Sequence, residues 1–209
     1  KWKDPWGVID AFRTARERIP GLQLALLGVM AAQDDPDAPA VLHSVNEYAG
    51  GDRDIHIFHN PLQIGDYEVN AFQTASDIIL QKSTREGFGL TVAEAMWKGT
   101  PVIGGDCDGI NLQITNGETG VIVSSPAECA ERIVELLNNP EMARRIGQAG
   151  KESMQHNFLI PCLLRNHLSL YHELIHGKSN QAAGATVDTE WSSIEPISLS
   201  TQADCCQKV

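Results

Sequence analysis

Five short runs of β-forming residues alternate with longer amphipathic helical patterns, and this alternation constrains the fold more than any other feature of the chain. The predicted strands are residues 22–27, 54–58, 77–80, 101–103 and 120–123. The predicted helices beside them are residues 5–18, 39–49, 66–76, 90–98 and 127–138. Strands and helices in this order build βαβ units, which give a parallel sheet covered by helices on both faces. The sequence therefore predicts an α/β, Rossmann-like domain.

Helix-boundary signals support these assignments. The run Ser125-Pro126-Ala127-Glu128 combines an N-cap serine, a proline in the first turn and a glutamate, as in a capping box. Gly99-Thr100-Pro101 predicts the end of the preceding helix. Two more helices are predicted over 141–154 and 159–175. We therefore predict one domain over residues 1–176 and a disordered polar tail, rich in Ser, Thr, Gln and Ala, over residues 177–209.

Composition excludes several classes of protein. A chain of 209 residues with 42% hydrophobic content can bury the core of one α/β domain. The net charge of −11 argues against a nucleic-acid partner, and no apolar run reaches the roughly 18–20 residues that cross a bilayer. The five cysteines form no Cys-x-x-Cys pair, which indicates reduced thiols and a cytoplasmic protein. The chain begins at Lys1 without a methionine, so we expect it to be part of a longer polypeptide.

The segment from Arg85 to Gly99, REGFGLTVAEAMWKG, carries the clearest chemical signal. It follows a predicted strand and enters a predicted helix, so Gly87-Phe88-Gly89 forms the turn at the start of that helix. Glycine lets the backbone approach a ligand closely, and the free amides and positive dipole end of a helix N-terminus attract anions. The segment therefore predicts a phosphate site.

Two carboxylates flank this turn, Glu86 before it and Glu94 within the following helix. Because carboxylates repel phosphate and accept hydrogen bonds from hydroxyls, the pattern indicates a sugar phosphate or a nucleotide sugar. The alternative is a solvated loop followed by a core helix that buries Met96 and Trp97. Spacing alone leaves both interpretations open. Gly28 ends a predicted strand, where open parallel sheets bind ligands, so Gly28 and Met30 are further candidates for the site.

The Glu-x7-Glu spacing with an intervening Gly-Phe-Gly-Leu resembles the sugar-donor motif of retaining glycosyltransferases of family 4. The run EGFGLTVAEAMWKGTPVIG is similar to their trehalose-forming branch, which includes trehalose synthases and retaining trehalose phosphorylases. The resemblance covers residues 2–175. It implies the GT-B fold, in which two Rossmann-like domains face each other, with this chain as the C-terminal, donor-binding domain.

The resemblance also implies roles for individual residues. Glu86 would contact hydroxyls of the transferred glucose, and Glu94 would bind the ribose of a nucleotide sugar. Lys3 would pair with the donor phosphate, as would an arginine five residues upstream that this chain lacks. Backbone contacts to the donor would come from the turn at the helix N-terminus, namely Gly87, Phe88, Gly89 and Leu90. We count Glu86 and Lys3 as candidate catalytic residues and the others as candidate binding residues.

The activity implied is retaining glucosyl transfer in trehalose metabolism. The substrates would be glucose, trehalose, phosphate, and glucose 1-phosphate or a nucleoside diphosphate glucose, without a metal cofactor. The other domain would supply the acceptor site, so we expect the isolated chain to be inactive; a homo-oligomer is left open. The alternatives are a sucrose- or glycogen-synthase-like transferase and a non-catalytic sugar-phosphate-binding module.

Two apparent metal-binding patterns are discounted. The acidic run at 34–37 suits a polar loop better than a Mg²⁺ or Ca²⁺ site, because this type of transferase neutralises the leaving phosphate with basic side chains and helix dipoles. His172 and His176 have the i, i+4 spacing of zinc ligands but no evident third ligand.

Overall fold

Helices and strands alternate along the residues that the computed structural model describes, 2–28, 38–59 and 64–176. The strands are β1 Leu24–Leu27, β2 Ile55–Phe58, β3 Ile79–Gln81, β4 Val102–Gly105 and β5 Val121–Val123. The helices are α1 Pro5–Arg16, α2 Ala38–Ala49, α3 Asp66–Ala75, α4 Leu90–Lys98, α5 Asp108–Asn111, α6 Pro126–Asn138, α7 Pro140–Asn157 and α8 Ile160–His176. The five predicted strands are confirmed, and α4 has the predicted bounds. Helix α5 was not predicted, because it is too short for helical periodicity to appear.

Local capping explains where several helices begin and end. Ser125 Oγ accepts a hydrogen bond from the Glu128 amide at 3.2 Å, as predicted for the start of α6. The Glu128 carboxylate, however, accepts from the amide of Ser124 rather than that of Ser125, at 2.8 Å. Helix α4 ends at Gly99, whose φ of 81° lies in the left-handed region that favours glycine.

All the strand pairs in the described residues are parallel, but they form two separate hydrogen-bonded groups. One pairs β1 with β2, and the other has the order β3-β4-β5. The alternation of strands and helices predicts a parallel sheet but gives no sign of this division. Helix α1 packs against both groups, because Ile9 and Phe12 join the core around β1 and β2 while Ala11 and Ala15 join the core around β4 and β5.

Strand β4 is buried on both faces, which confirms the prediction of helices on both sides of the sheet. Ile103 packs into a cluster with residues of α1, α6 and α7. Its neighbour Val102 points the other way, into a cluster with residues of α4, α5 and α7. Because neighbouring side chains of a strand lie on opposite faces, this alternation separates two helical layers.

The chain divides into two compact units, residues 1–164 and 165–209. The strands and helices α1 to α7 all belong to the first unit. In the second unit the structure describes residues 165–176, the last part of α8. The predicted tail, 177–209, lies outside the described residues and remains a prediction, as does the boundary at residue 176.

The packing of α7 against the end of α4 depends on Gly147. A methyl group there would overlap the carbonyl oxygen of Gly99 and lie 3.3 Å from Pro101. We expect Gly147→Ala to lower the free energy of unfolding by roughly 1–3 kcal/mol, because the two helices would have to separate.

Thermal or denaturant unfolding would measure this change. Gln148→Ala, at an exposed position of the same helix, is the control and should change stability by less than about 0.5 kcal/mol. Equal stability of the two variants would contradict the packing argument.

Candidate functional site

The turn between β3 and α4 presents unpaired backbone amides. Gly89 caps α4 with a φ of 94°, a left-handed conformation that favours glycine, and its carbonyl accepts the amides of Val92 and Ala93. The amides of residues 88–91 have no hydrogen-bond acceptor within the described parts of the chain. Free amides at the positive end of a helix form a site for an anion.

The Glu86 carboxylate lies beside this turn and is held by three donors on one oxygen. Its Oε2 accepts from Lys3 Nζ, from Gln81 Nε2 at 3.3 Å and from Ser83 Oγ at 3.3 Å. Burial raises the pKa of the Glu86 carboxyl, but Lys3, Gln81 and Ser83 together outweigh burial and hold the pKa below its usual value. Glu86 is therefore an anion at neutral pH. Within the described ranges its Oε1 has no hydrogen-bond partner.

Lys3 is positioned by contacts of its neighbours in the chain. The carbonyl of Trp2 accepts the amide of Thr84 at 2.8 Å. On the other side, Asp4 caps α1 by accepting the Gly7 amide at 3.2 Å and forms an ion pair with Lys82, which is buried. The backbone on both sides of Lys3 is thus fixed to the segment that leads into the turn, while the Lys3 side chain itself is 60% exposed.

Two cavities meet at Lys3. One, of about 720 Å³, is lined by Lys3, Glu86 and Gly87 together with Trp2, Thr84, Arg85, Asp106, Cys107 and Asp108. The other, of about 1080 Å³, is lined by Lys3, by β1, β2 and β3 along most of their length and by apolar residues of α1, α2 and α3, and it includes Gly28, Phe58, His59 and Gln81. Each is large enough for a sugar or a nucleotide.

Helix α5 packs directly against the turn, and this contact requires a glycine. The Gly109 amide donates to the Glu86 carbonyl at 3.1 Å. A side chain at Gly109 would come within 2.5 Å of that carbonyl oxygen and 2.7 Å of the Phe88 nitrogen. The close approach of two backbones therefore sets the position of residues 86–88.

Glu94 belongs to a separate polar network, which links α4 to α3. Its Oε2 accepts from Gln73 Nε2 at 2.8 Å, and Gln73 Oε1 accepts from Lys98 Nζ at 2.6 Å. Gln73 is itself buried, and its carbonyl accepts from Thr100 Oγ1 at 2.7 Å. Glu94 is thus held by α3 and does not line the cavity that contains Glu86.

Apart from Glu94, the candidate residues from the sequence divide into three groups. Lys3, Glu86 and Gly87 line one cavity, and Gly28 lines the neighbouring one. Phe88, Gly89 and Leu90 form the start of α4, with Phe88 packed on the ring of Phe158 at a centroid distance of 5.9 Å. Met30 lies outside the described residues, as does the acidic run at 34–37.

Four residues beside the turn were not predicted as part of the site: Gln81 and Ser83 at Glu86, Gly109 below the turn, and Gln113, whose amide reaches the turn carbonyls. The contact of Gly109 could have been predicted, because a glycine soon after a strand often marks a close approach of two backbones. The other three are ordinary polar residues whose partners only the fold reveals.

Two further features concern membranes and metals. No helix in the ranges that the structure describes is long and apolar enough to span a membrane. Among those residues, no three His, Cys, Asp or Glu side chains lie together as a metal site would require. The rings of His172 and His176 are adjacent, with a centroid distance of 4.5 Å.

The chain is similar to several known proteins in sequence and in structure. The chain is 47% identical to the trehalose synthase of Rubrobacter xylanophilus over 174 residues, which are 83% of this chain and 41% of that protein. It is similar to HepE of Anabaena, solved in complex with UDP-glucose, with a TM-score of 0.68 at 19% identity over 82% of this chain and 46% of HepE. It is also similar to the C-terminal domain of the glycosyl transferase LpcC from Francisella tularensis, with a TM-score of 0.61 at 26% identity over 76% of this chain and 81% of that domain.

The chain therefore spans less than half the length of the curated relative that it matches. Its α/β architecture is that of one half of a GT-B glycosyltransferase, as the sequence predicted. The model of the family described as glycosyl transferases group 1 matches residues 1–153, and the chain belongs to that family.

Proposed function

We propose that this chain is the sugar-donor-binding part of a retaining family 4 glucosyltransferase that forms trehalose from glucose and a nucleoside diphosphate glucose. The proposal depends on one arrangement. Lys3, Glu86 and Gly87 line one cavity, and the free amides at the start of α4 belong to the residues that directly follow Gly87 in the chain. Amides and a cation suit a phosphate, while a carboxylate suits the hydroxyls of the attached sugar.

In the proposed reaction, the bond from the glucose C1 to the phosphate oxygen breaks and the nucleoside diphosphate leaves with the bonding electrons. A new bond forms between C1 and a hydroxyl oxygen of the acceptor glucose, on the same face of the ring, and the proton of that hydroxyl passes to the departing phosphate oxygen. Negative charge grows on the leaving phosphate, and amides and cations that are already oriented toward it stabilise that charge. We assign this role to residues 88–90 and to Lys3, and propose no metal for it, because these groups supply the positive charge.

Glu86 holds the transferred sugar in this proposal. Three donors fix one of its carboxylate oxygens, and the other oxygen has no partner among the described residues, so it is available to a sugar hydroxyl. The phosphate would compete with Glu86 for Lys3. Because the Lys3 side chain is 60% exposed, its ion pair with Glu86 contributes little stability and is readily exchanged.

Two observations favour a nucleotide donor over glucose 1-phosphate. The similar HepE was solved with UDP-glucose, and the 47% identical relative is named a trehalose synthase.

We further propose that a second domain supplies the acceptor site. The thiols of Cys107, Cys129 and Cys162 are free, as suits a protein of the reducing cytoplasm.

Replacement of Glu86 tests the proposed site. In the complete enzyme we expect Glu86→Gln to lower kcat/KM for glucosyl transfer by roughly 30- to 100-fold, because a charged hydrogen bond to the sugar is worth about 2–3 kcal/mol. Initial rates of trehalose formation measure the loss. Glu118→Gln, which removes a charge from an exposed turn, is the control and should transfer glucose normally. A normal rate for Glu86→Gln would remove Glu86 from the site.

Replacement of Gly109 tests whether backbone position matters. We expect Gly109→Ala to weaken UDP binding by this chain about tenfold, because the added methyl group would overlap Glu86 and Phe88 and displace the turn. Calorimetry measures the affinity. The control is Gly65→Ala, where the new carbon would meet only the flexible Glu68 side chain at 3.4 Å. Equal affinity of the two variants would contradict the proposed role of the turn.

The isolated 209-residue chain tests the requirement for a second domain. We expect it to bind UDP but to form no trehalose above background from UDP-glucose and glucose, as chromatography would measure. Ready turnover would contradict a separate acceptor domain. In the complete enzyme, trehalose with a nucleoside diphosphate should release the nucleotide sugar. Release of glucose 1-phosphate from trehalose and phosphate would instead identify a phosphorylase.

A further inference from the structure

We propose that Gln113 is a positioning residue that orients the phosphate-binding turn by holding the turn carbonyls inward. This inference rests on the proposed function, because it assigns the device that keeps the amides of the anion site exposed.

The contacts of Gln113 are directed at the turn backbone. Its Nε2 donates to the carbonyl of Phe88 and lies 3.2 Å from the carbonyl of Gly109 and 3.4 Å from that of Gly89. One side-chain amide thus bridges the start of α4 and the start of α5. In a peptide unit the carbonyl and the following N–H point in opposite directions. Tying the carbonyls of residues 88 and 89 to Gln113 therefore directs the amides of Gly89 and Leu90 away from it.

The opposite end of the same side chain lacks a partner. Gln113 is only 3% exposed, and its Oε1 is the one buried side-chain polar atom without a hydrogen bond in the described parts of the chain. An unpaired buried acceptor is destabilising. An apolar side chain of similar size would avoid that loss but could not hold the carbonyls. The presence of a glutamine at this buried position is therefore explained by the turn that it orients, because an apolar residue would stabilise the core better.

A carboxylate cannot do what Gln113 does, because an ionised carboxyl group only accepts hydrogen bonds. It would face three carbonyl oxygens and add a negative charge beneath the anion site, where Glu86 and Asp108 already lie nearby. Burial raises the pKa of a carboxyl group, so a glutamate introduced here would become protonated as the pH falls and would regain one donor. The carboxamide and the carboxylate therefore differ in a way that pH reveals.

The experiment titrates UDP into the 209-residue chain and its variants by calorimetry at pH 8.0 and pH 5.5. At pH 8.0 we expect Gln113→Glu to weaken UDP binding by roughly 10- to 100-fold relative to the unaltered chain, and at pH 5.5 by less than about threefold. Dividing by the affinity of the unaltered chain at each pH removes the effect of the titration of UDP itself. Gln113→Met, which keeps the volume without polar atoms, should weaken binding about tenfold at both pH values.

Leu112→Glu is the control for added charge, because Leu112 is the neighbouring residue and is 71% exposed. It should bind UDP at both pH values within about threefold of the unaltered chain. Thermal unfolding of Gln113→Met should match or exceed that of the unaltered chain, which separates positioning from loss of the fold.

Unchanged affinity in Gln113→Met would overturn the role of Gln113 and leave the proposed function standing. The same conclusion would follow if the loss in Gln113→Glu were equal at both pH values. Failure of the unaltered chain to bind UDP would instead overturn the proposed function, and with it this inference.

Discussion

Strand β4 is the constraint on which the rest of the structure depends. It is buried along its whole length between two helical layers. It ends in Gly104 and Gly105, and a side chain on either would overlap a neighbour. Ile110 of α5 lies against the first, and the backbone of residues 82–83 lies against the second. The end of β4 is therefore where α5 and the segment leading to Glu86 meet, and the candidate site is built on that junction.

Much of this could be predicted from the sequence, because its determinants are local. Strand and helix periods are read over a few residues, and α4 is bounded by Gly89 and Gly99, both with positive φ. The turn with free amides follows from the same glycines. Helices on both faces followed from the strand–helix alternation and the rules of parallel sheets.

The remaining features depend on residues far apart in the chain. Asp4 and Lys82 pair across 78 positions, and Gln113 reaches the Phe88 carbonyl across 25. No periodicity or capping rule connects such residues, because the fold alone brings them together. The division of the strands into two groups could not be predicted for the same reason, because it depends on whether the fold brings β1 within hydrogen-bonding distance of β3.

The contacts that flank Lys3 have a mechanical consequence. Trp2 is bonded to Thr84, and Asp4 is paired with the buried Lys82, so the short stretch between them is fastened to the same body as the turn. No hinge can operate between Lys3 and Glu86 without breaking one of these attachments. If the complete enzyme opens and closes during turnover, the backbone at Lys3 and the amides of the turn must move together as one rigid unit. The distance between the Lys3 backbone and the turn would then be the same in every stage of the cycle, and only the Lys3 side chain would move between Glu86 and the phosphate.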